Sequence, residues 1–95
     1  MIDLNDMLFF AEVVDRGGFA AAGRSLGVPK SKVSRRVADL EARLGVRLLQ
    51  RTTRKLSLTE AGELYHRHCL AMREQGEAAD EAVARVLGDP RGTVR

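Results

Sequence analysis

The sequence predicts a mainly α fold of three helices plus a two-stranded hairpin, followed by one long helix. Three observations lead to it. Two short helical patterns meet at Gly27-Val28 inside the stretch Phe19 to Val37. Two β-like runs, Val46 to Gln50 and Leu56 to Leu58, bracket a five-residue segment. From Tyr65 to Val86, side chains suited to a helix seam recur at spacings of 4, 3, 4, 3, 4 and 3.

The first helix is expected over Asp3 to Arg16. Leu4, Met7, Leu8, Phe10, Ala11 and Val14 fall towards one side, and Asp6, Glu12 and Asp15 fall elsewhere. Asp3 suits the N-cap or first turn, where a carboxylate meets the unsatisfied N–H groups. Gly17-Gly18 ends the helix, and Phe19 starts the next as a core anchor. Gly27 suits the position just past that second helix, where φ > 0 is often needed, and Pro29 suits the opening turn of the third. Gly23 leaves room for another helix to cross closely. This is the spacing of a helix-turn-helix, whose second helix enters the DNA major groove.

The third helix, expected from about Pro29 to Leu44, carries two distinct faces. Val33, Val37, Leu40 and Leu44 make one apolar stripe. Ser31, Arg35 and Ala38 point nearly opposite, with Lys32 and Asp39 on one flank, Ser34 on the other and Lys30 in the first turn. A cationic, hydroxyl-bearing face of small side chains fits a groove ~12 Å wide. Taken alone, the same face also fits the solvated side of a core helix; the turn in front of it favours DNA.

Gly45 stops this helix. The hairpin that follows holds Arg51-Thr52-Thr53-Arg54-Lys55 at its tip, three cations and no acid. A basic hairpin placed just after a recognition helix is the layout of a winged helix-turn-helix. Its wing would follow the phosphate backbone or reach into the minor groove. Thr59 resembles an N-cap, supported by Glu60 and Glu63, for a last helix running to about Leu87 before Gly88-Asp89-Pro90. Its seam is Tyr65, Cys69, Met72, Gly76, Ala79, Val83 and Val86, with small residues in the middle. At about 40 Å, such a helix is too long for a domain this small to cover. It is expected to dock partly on its own domain and partly on a second copy. The expected division is 1–58 for the winged helix-turn-helix, 59–88 for the linker and dimerisation helix, and 89–95 for a hinge.

Composition narrows the function classes. Ninety-five residues make one small domain, and 44% hydrophobic content supports only a modest core. Aromatic residues at 4%, with no Trp, exclude a binder that stacks single-stranded bases on rings. The net charge of +3 conceals a partition: −2 over residues 1–27, +7 over 28–58 and −2 over 59–95. The basic block covers the third helix and hairpin, as expected for a polyanionic partner. It is not arranged as a membrane-surface helix with bulky apolar anchors opposite. Cys69 is the single cysteine, so no intrachain disulfide is possible and a reducing compartment is expected. Neither a signal peptide nor a membrane-spanning run is visible, and a cytoplasmic location is expected.

Enzyme chemistry finds no support. His66, His68 and Cys69 are close in sequence, but positions two apart on a helix do not face each other. No phosphate loop, nucleophile elbow or paired-acid constellation occurs. No metal and no cofactor are expected.

The ordered set AAAGRSLGVPKSKVSRRVADLEARLGVRLLQRTTRKLSLTEAG, residues 20–62, resembles the N-terminal DNA-binding domain of LysR-type transcriptional regulators. The matching pieces are Val33-Ser34-Arg35, Leu40-Glu41, Leu44-Gly45, Leu48, Arg51, Arg54 and Leu58-Thr59 with Ala61-Gly62. The resemblance extends from about Leu4 to Arg95. It implies a bacterial activator or repressor that binds an interrupted dyad in double-stranded DNA as a homodimer through paired linker helices, often antiparallel. Full-length members are often tetramers. It further implies a small-molecule effector bound by a C-terminal domain absent from this sequence, with Arg91 to Arg95 resembling the hinge and first strand leading to it. The chain is therefore expected to be a fragment.

By position, the resemblance places Pro29, Lys30, Ser31, Ser34 and Arg35 where the family reads bases and phosphates, and Arg51 and Arg54 on the wing. Lys32 and Arg36 are expected on phosphates, and Thr52 and Thr53 belong to the DNA-binding tip. Two positions depart from the pattern. Lys30 stands where Gln or Ser is common, which exchanges a bidentate amide for a donor to guanine or phosphate. Ala20 stands where a hydroxyl often begins the second helix, which leaves only backbone N–H groups for a phosphate there. The competing readings are a winged-helix module that binds protein, which has no need of these cations, and a sequence-indifferent architectural protein.

Overall fold

The computed structural model describes residues 2–51 and 55–88, with α1 at Leu4–Arg16, α2 at Phe19–Leu26, α3 at Lys30–Leu44, β1 at Leu49–Arg51, β2 at Leu56–Leu58 and α4 at Glu60–Val86. The chain is a winged helix-turn-helix: three helices, a two-stranded antiparallel wing and a long final helix. The wing-tip contacts assigned to Thr52, Thr53 and Arg54, and the hinge at 89–95, lie outside the described residues, as does the Arg51 side chain.

Each helix begins and ends for a local reason. The Asp3 carboxylate accepts the Asn5 N–H at 2.9 Å and caps α1, and Gly17 leaves it at φ 85° with its N–H on the Val13 carbonyl. Gly27 (φ 73°) and Gly45 (φ 75°) close α2 and α3 in the same left-handed geometry. Pro29 is the N-cap of α3, one position before the first helical residue, with extended backbone at ψ 148°. The close approach expected at Gly23 is real, but what crosses it is the turn and the start of α3. A Cβ there would lie 2.8 Å from the Val28 carbonyl oxygen and 3.3 Å from the Lys30 nitrogen.

Phe10, Val13, Val33, Val37, Leu40, Leu48, Leu49 and Cys69 form the centre of the core, contributed by α1, α3, the wing and α4. Two expectations for α1 fail. Leu4 is 54% exposed, because the first turn stands at the edge of the core. Asp6, one turn before Phe10, is buried instead. Burial pushes the Asp6 carboxyl up, and Arg36 at 3.3 Å offsets only part of that cost.

The wing starts later than the β-like run beginning at Val46, because other groups claim the backbone before Leu49. Glu41, buried near the end of α3, accepts the Leu48 N–H at 2.8 Å and the Leu49 N–H at 3.1 Å on one carboxylate oxygen. The Leu48 carbonyl accepts the Thr59 N–H at 3.0 Å. Pairing then runs Leu49 to Leu58, Gln50 to Ser57 and Arg51 to Leu56. Thr59 Oγ1 donates to the Arg47 carbonyl at 2.7 Å and accepts the Gly62 N–H at 2.9 Å, capping α4. A Cβ at Gly62 would land on the Leu48 carbonyl, so only glycine lets α4 lie this close to the wing.

Glu41→Ala leaves two buried N–H groups without an acceptor. It should lower unfolding stability by about 3 kcal/mol, read from the urea midpoint; a loss below about 1 kcal/mol would contradict the role of Glu41 as the acceptor that anchors the wing.

Candidate nucleic-acid interface

The buried stripe of α3 fixes what its other face presents. Val33, Val37 and Leu40 are fully buried, whereas Leu44, at the end of the stripe, is 37% exposed. Arg35 lies about 200° from Val33 at 100° per residue and is exposed, with Lys30, Ser31 and Lys32 exposed before it and Ser34 half-buried. Ser31, Lys32, Arg35, Arg36 and Asp39 line a shallow concavity along this face. Pro29 is exposed and its side chain supplies no cap, so the positive end of the α3 dipole faces outwards beside Lys30. No side chain caps α2 either, where Gly18 is the N-cap and Ala20 brings no hydroxyl. Such helix ends favour phosphate oxygens.

Arg36, expected on a phosphate, is engaged within the domain. Its guanidinium lies 5.2 Å from the centre of the Phe9 ring and 3.5 and 3.3 Å from the carboxylates of Asp3 and Asp6. The reason is its angle: three residues after Val33 and four before Leu40, Arg36 stands at the border of the buried stripe. It fastens α3 to α1, and its charge is largely answered within the domain. By contrast, Lys30, Lys32 and Arg35 make no ion pair with any described residue.

The α4 seam divides in two. Tyr65, Cys69 and Met72 pack on the domain's own core, Cys69 fully buried and the other two half-buried. Phe10 meets Tyr65 with ring centres 5.8 Å apart. Burial pushes the Cys69 thiol up to about 11, so it is a protonated apolar group and no nucleophile at neutral pH. Gly76, Ala79, Val83 and Val86 are exposed, Val83 by 59% and Val86 by 86%.

Sequence reasoning missed Glu41, although its position four residues after Val37 marks it as an acid on the inner face. It also missed the pairing of Asp15 with His66 and Arg73, which joins residues 51 and 58 positions apart and leaves no local signal. Among the described residues, no three His, Cys, Asp or Glu side chains gather to hold a metal ion, and no helix is long and apolar enough to cross a membrane.

A winged helix-turn-helix with a cationic, outward-facing third helix defines a class of DNA-binding domains. The family described as "Bacterial regulatory helix-turn-helix protein, lysR family" matches residues 4–63, and the chain belongs to that family. It carries the DNA-binding domain of a transcriptional regulator and is not an enzyme.

An HTH-type transcriptional regulator of Xanthomonas campestris pv. campestris is 54% identical over 93 residues, covering 98% of this chain and 27% of the relative. An HTH-type transcriptional repressor of Pseudomonas aeruginosa is 44% identical over the whole chain and 30% of its own length. The HTH-type transcriptional activator AaeR of Escherichia coli is 40% identical over 97% of this chain and 30% of its own. The chain thus spans less than a third of these relatives, which include both signs of regulation. Among solved structures, the BenM DNA-binding domain in complex with catB site 1 DNA superposes with a TM-score of 0.84 at 23% identity, covering 90% of this chain and 96% of that one. Full-length CbnR in complex with its target DNA gives 0.75 at 32% identity, covering 87% and 29%.

Arg36→Met should lower stability by about 1–2 kcal/mol, between the limits for exposed and buried pairs, and leave the salt dependence of DNA binding unchanged. Thermal melts and titrations at two salt concentrations check this; a salt slope reduced by about one would return Arg36 to the phosphate contacts.

Proposed function

We propose that this domain binds double-stranded DNA sequence-specifically in the bacterial cytoplasm, as a homodimer on an interrupted dyad. The outward face of α3 enters the major groove. Ser31, Ser34 and Arg35 address bases, and Lys30, Lys32 and the α3 N-terminus address bases or phosphates. The wing, residues 51–55, lies on the flanking backbone or in the minor groove. In the longer protein, a C-terminal domain binds a small-molecule effector, and assembly proceeds to a tetramer.

The observation that carries this reading is the third helix itself. A fully buried stripe holds its rotation, and the opposite face offers small side chains and cations that form no ion pair with a described residue. Each adjacent phosphate neutralised by such a cation releases counterions, which supplies affinity, while hydrogen bonds to base edges supply discrimination. CbnR, 32% identical, is a relative solved in complex with its target DNA, which supports DNA as the partner. For the dimer, the support is the far half of α4. Gly76 and Ala79 permit close helix approach, and Val83 and Val86 leave apolar surface that a second copy would cover.

Arg35→Ala should weaken binding to a selected cognate duplex by ~1–3 kcal/mol and relax preference at the base it meets. Unchanged affinity at fixed salt would remove Arg35 from the readout. Val83→Glu should convert a dimer to a monomer in sedimentation velocity without unfolding the domain; an unaltered dimer would place the interface elsewhere.

A further inference from the structure

The far part of α4 leaves the domain as a lever, and one polar cluster stands where it leaves. On α1, Glu12 and Asp15 are three residues apart; on α4, His66 and Arg73 are seven apart, and both pairs lie on facing sides. His66 Nε2 is 3.1 Å from Asp15 Oδ1. Arg73 donates from Nη2 to Asp15 Oδ2 at 3.0 Å, and its Nη1 lies 3.8 Å from Glu12 Oε1. The other Glu12 oxygen accepts from Arg16 Nε at 2.9 Å and from the Ser25 hydroxyl at the end of α2. These bonds from Ser25 and Arg16 hold the Glu12 carboxyl below its usual range, so it remains ionised opposite Arg73.

The apolar contact beside this cluster, Phe10 against Tyr65 with Cys69 behind, fixes how close α4 lies. Apolar contact is poorly directional. His66 and Arg73, two helical turns apart on α4, both hold the Asp15 carboxylate, and Arg73 also reaches Glu12, so the contacts triangulate α4 on α1 and resist tilt and sliding. After Arg73, every described side chain of α4 is exposed except the half-buried Ala84. From Arg73 to Val86 the helix extends about 20 Å. A tilt of about 10° moves its tip by roughly 3.5 Å, close to the ~3.4 Å rise of one base pair.

We propose that Asp15, Glu12, His66 and Arg73 form a clasp that sets the angle of α4 on the DNA-binding domain and thereby the half-site spacing that the dimer accepts. This rests on the dimeric reading above. The four residues touch no DNA in it; they are positioning residues, and their effect appears in the spacing preference.

The test uses duplexes carrying the selected dyad with the spacer unchanged, or lengthened or shortened by one and two base pairs, and a duplex with a single half-site. One base pair also rotates a half-site by about 35°, so the parent protein should lose at least tenfold in affinity per step. Asp15→Asn and Arg73→Met should flatten that dependence to below threefold while leaving single half-site affinity, its salt slope and the far-ultraviolet circular dichroism unchanged. Arg73→Met keeps its stem and leaves α1 untouched, and it carries the test alone if Asp15→Asn fails to fold. A parent tuned sharply to spacing and variants tuned equally sharply would overturn the clasp and keep the dimer. A parent indifferent to spacing would overturn both.

Discussion

A single carboxylate organises the junction on which this domain depends. Glu41, buried at the end of α3, takes the N–H groups of Leu48 and Leu49, and the Leu48 carbonyl takes the N–H of Thr59. The third helix, the wing and the long helix therefore meet at Leu48, which is 1% exposed. An acid in the middle of the most basic stretch of the chain is a necessity of the backbone, because the turn after Gly45 exposes donors in a dry place. Gly62 completes the junction by letting α4 pass against Leu48.

Charge is sorted by the same folding. The acids of α1 and its N-cap are used inside the domain: Asp3 and Asp6 by Arg36, Glu12 by Arg16 and Arg73, and Asp15 by His66 and Arg73. What the sequence shows as a block of +7 over 28–58 separates in the fold into cations that hold the structure and cations that face outwards. Arg35 and Arg36 are neighbours in the chain and belong to opposite groups. The rotation of α3, set by Val33, Val37 and Leu40, decides which is which.

The helices were legible because their signals are local. Glycines with positive φ stand at the four predicted helix ends, the apolar stripe of α3 repeats at helical spacing, and Thr59 is an N-cap as its sequence context indicates. The start of the wing was misjudged because Val46 and Leu48 have strand-like side chains, whereas Glu41 and Thr59 claim the Leu48 backbone. The seam of α4 was read correctly as periodic, but periodicity cannot tell a domain's own core from a partner. Tyr65, Cys69 and Met72 pack on the former, Tyr65 against Phe10. The outward residues of α3 followed from the helix angle alone; the fate of Arg36 needed Asp3 and Asp6, thirty or more residues away.

The central claim is that the outward face of α3 reads sequence, on two half-sites at once. Selection of duplexes from a random library with this domain, followed by titration of the enriched site and a scrambled control at two salt concentrations, tests it most directly. The account predicts an interrupted dyad bound at least a hundredfold more tightly than the control, with both affinities falling as salt rises. Equal and steeply salt-dependent binding to both duplexes would contradict it and leave a basic winged helix that binds DNA by charge. Absence of binding to either at low salt would point instead to a winged helix that engages protein.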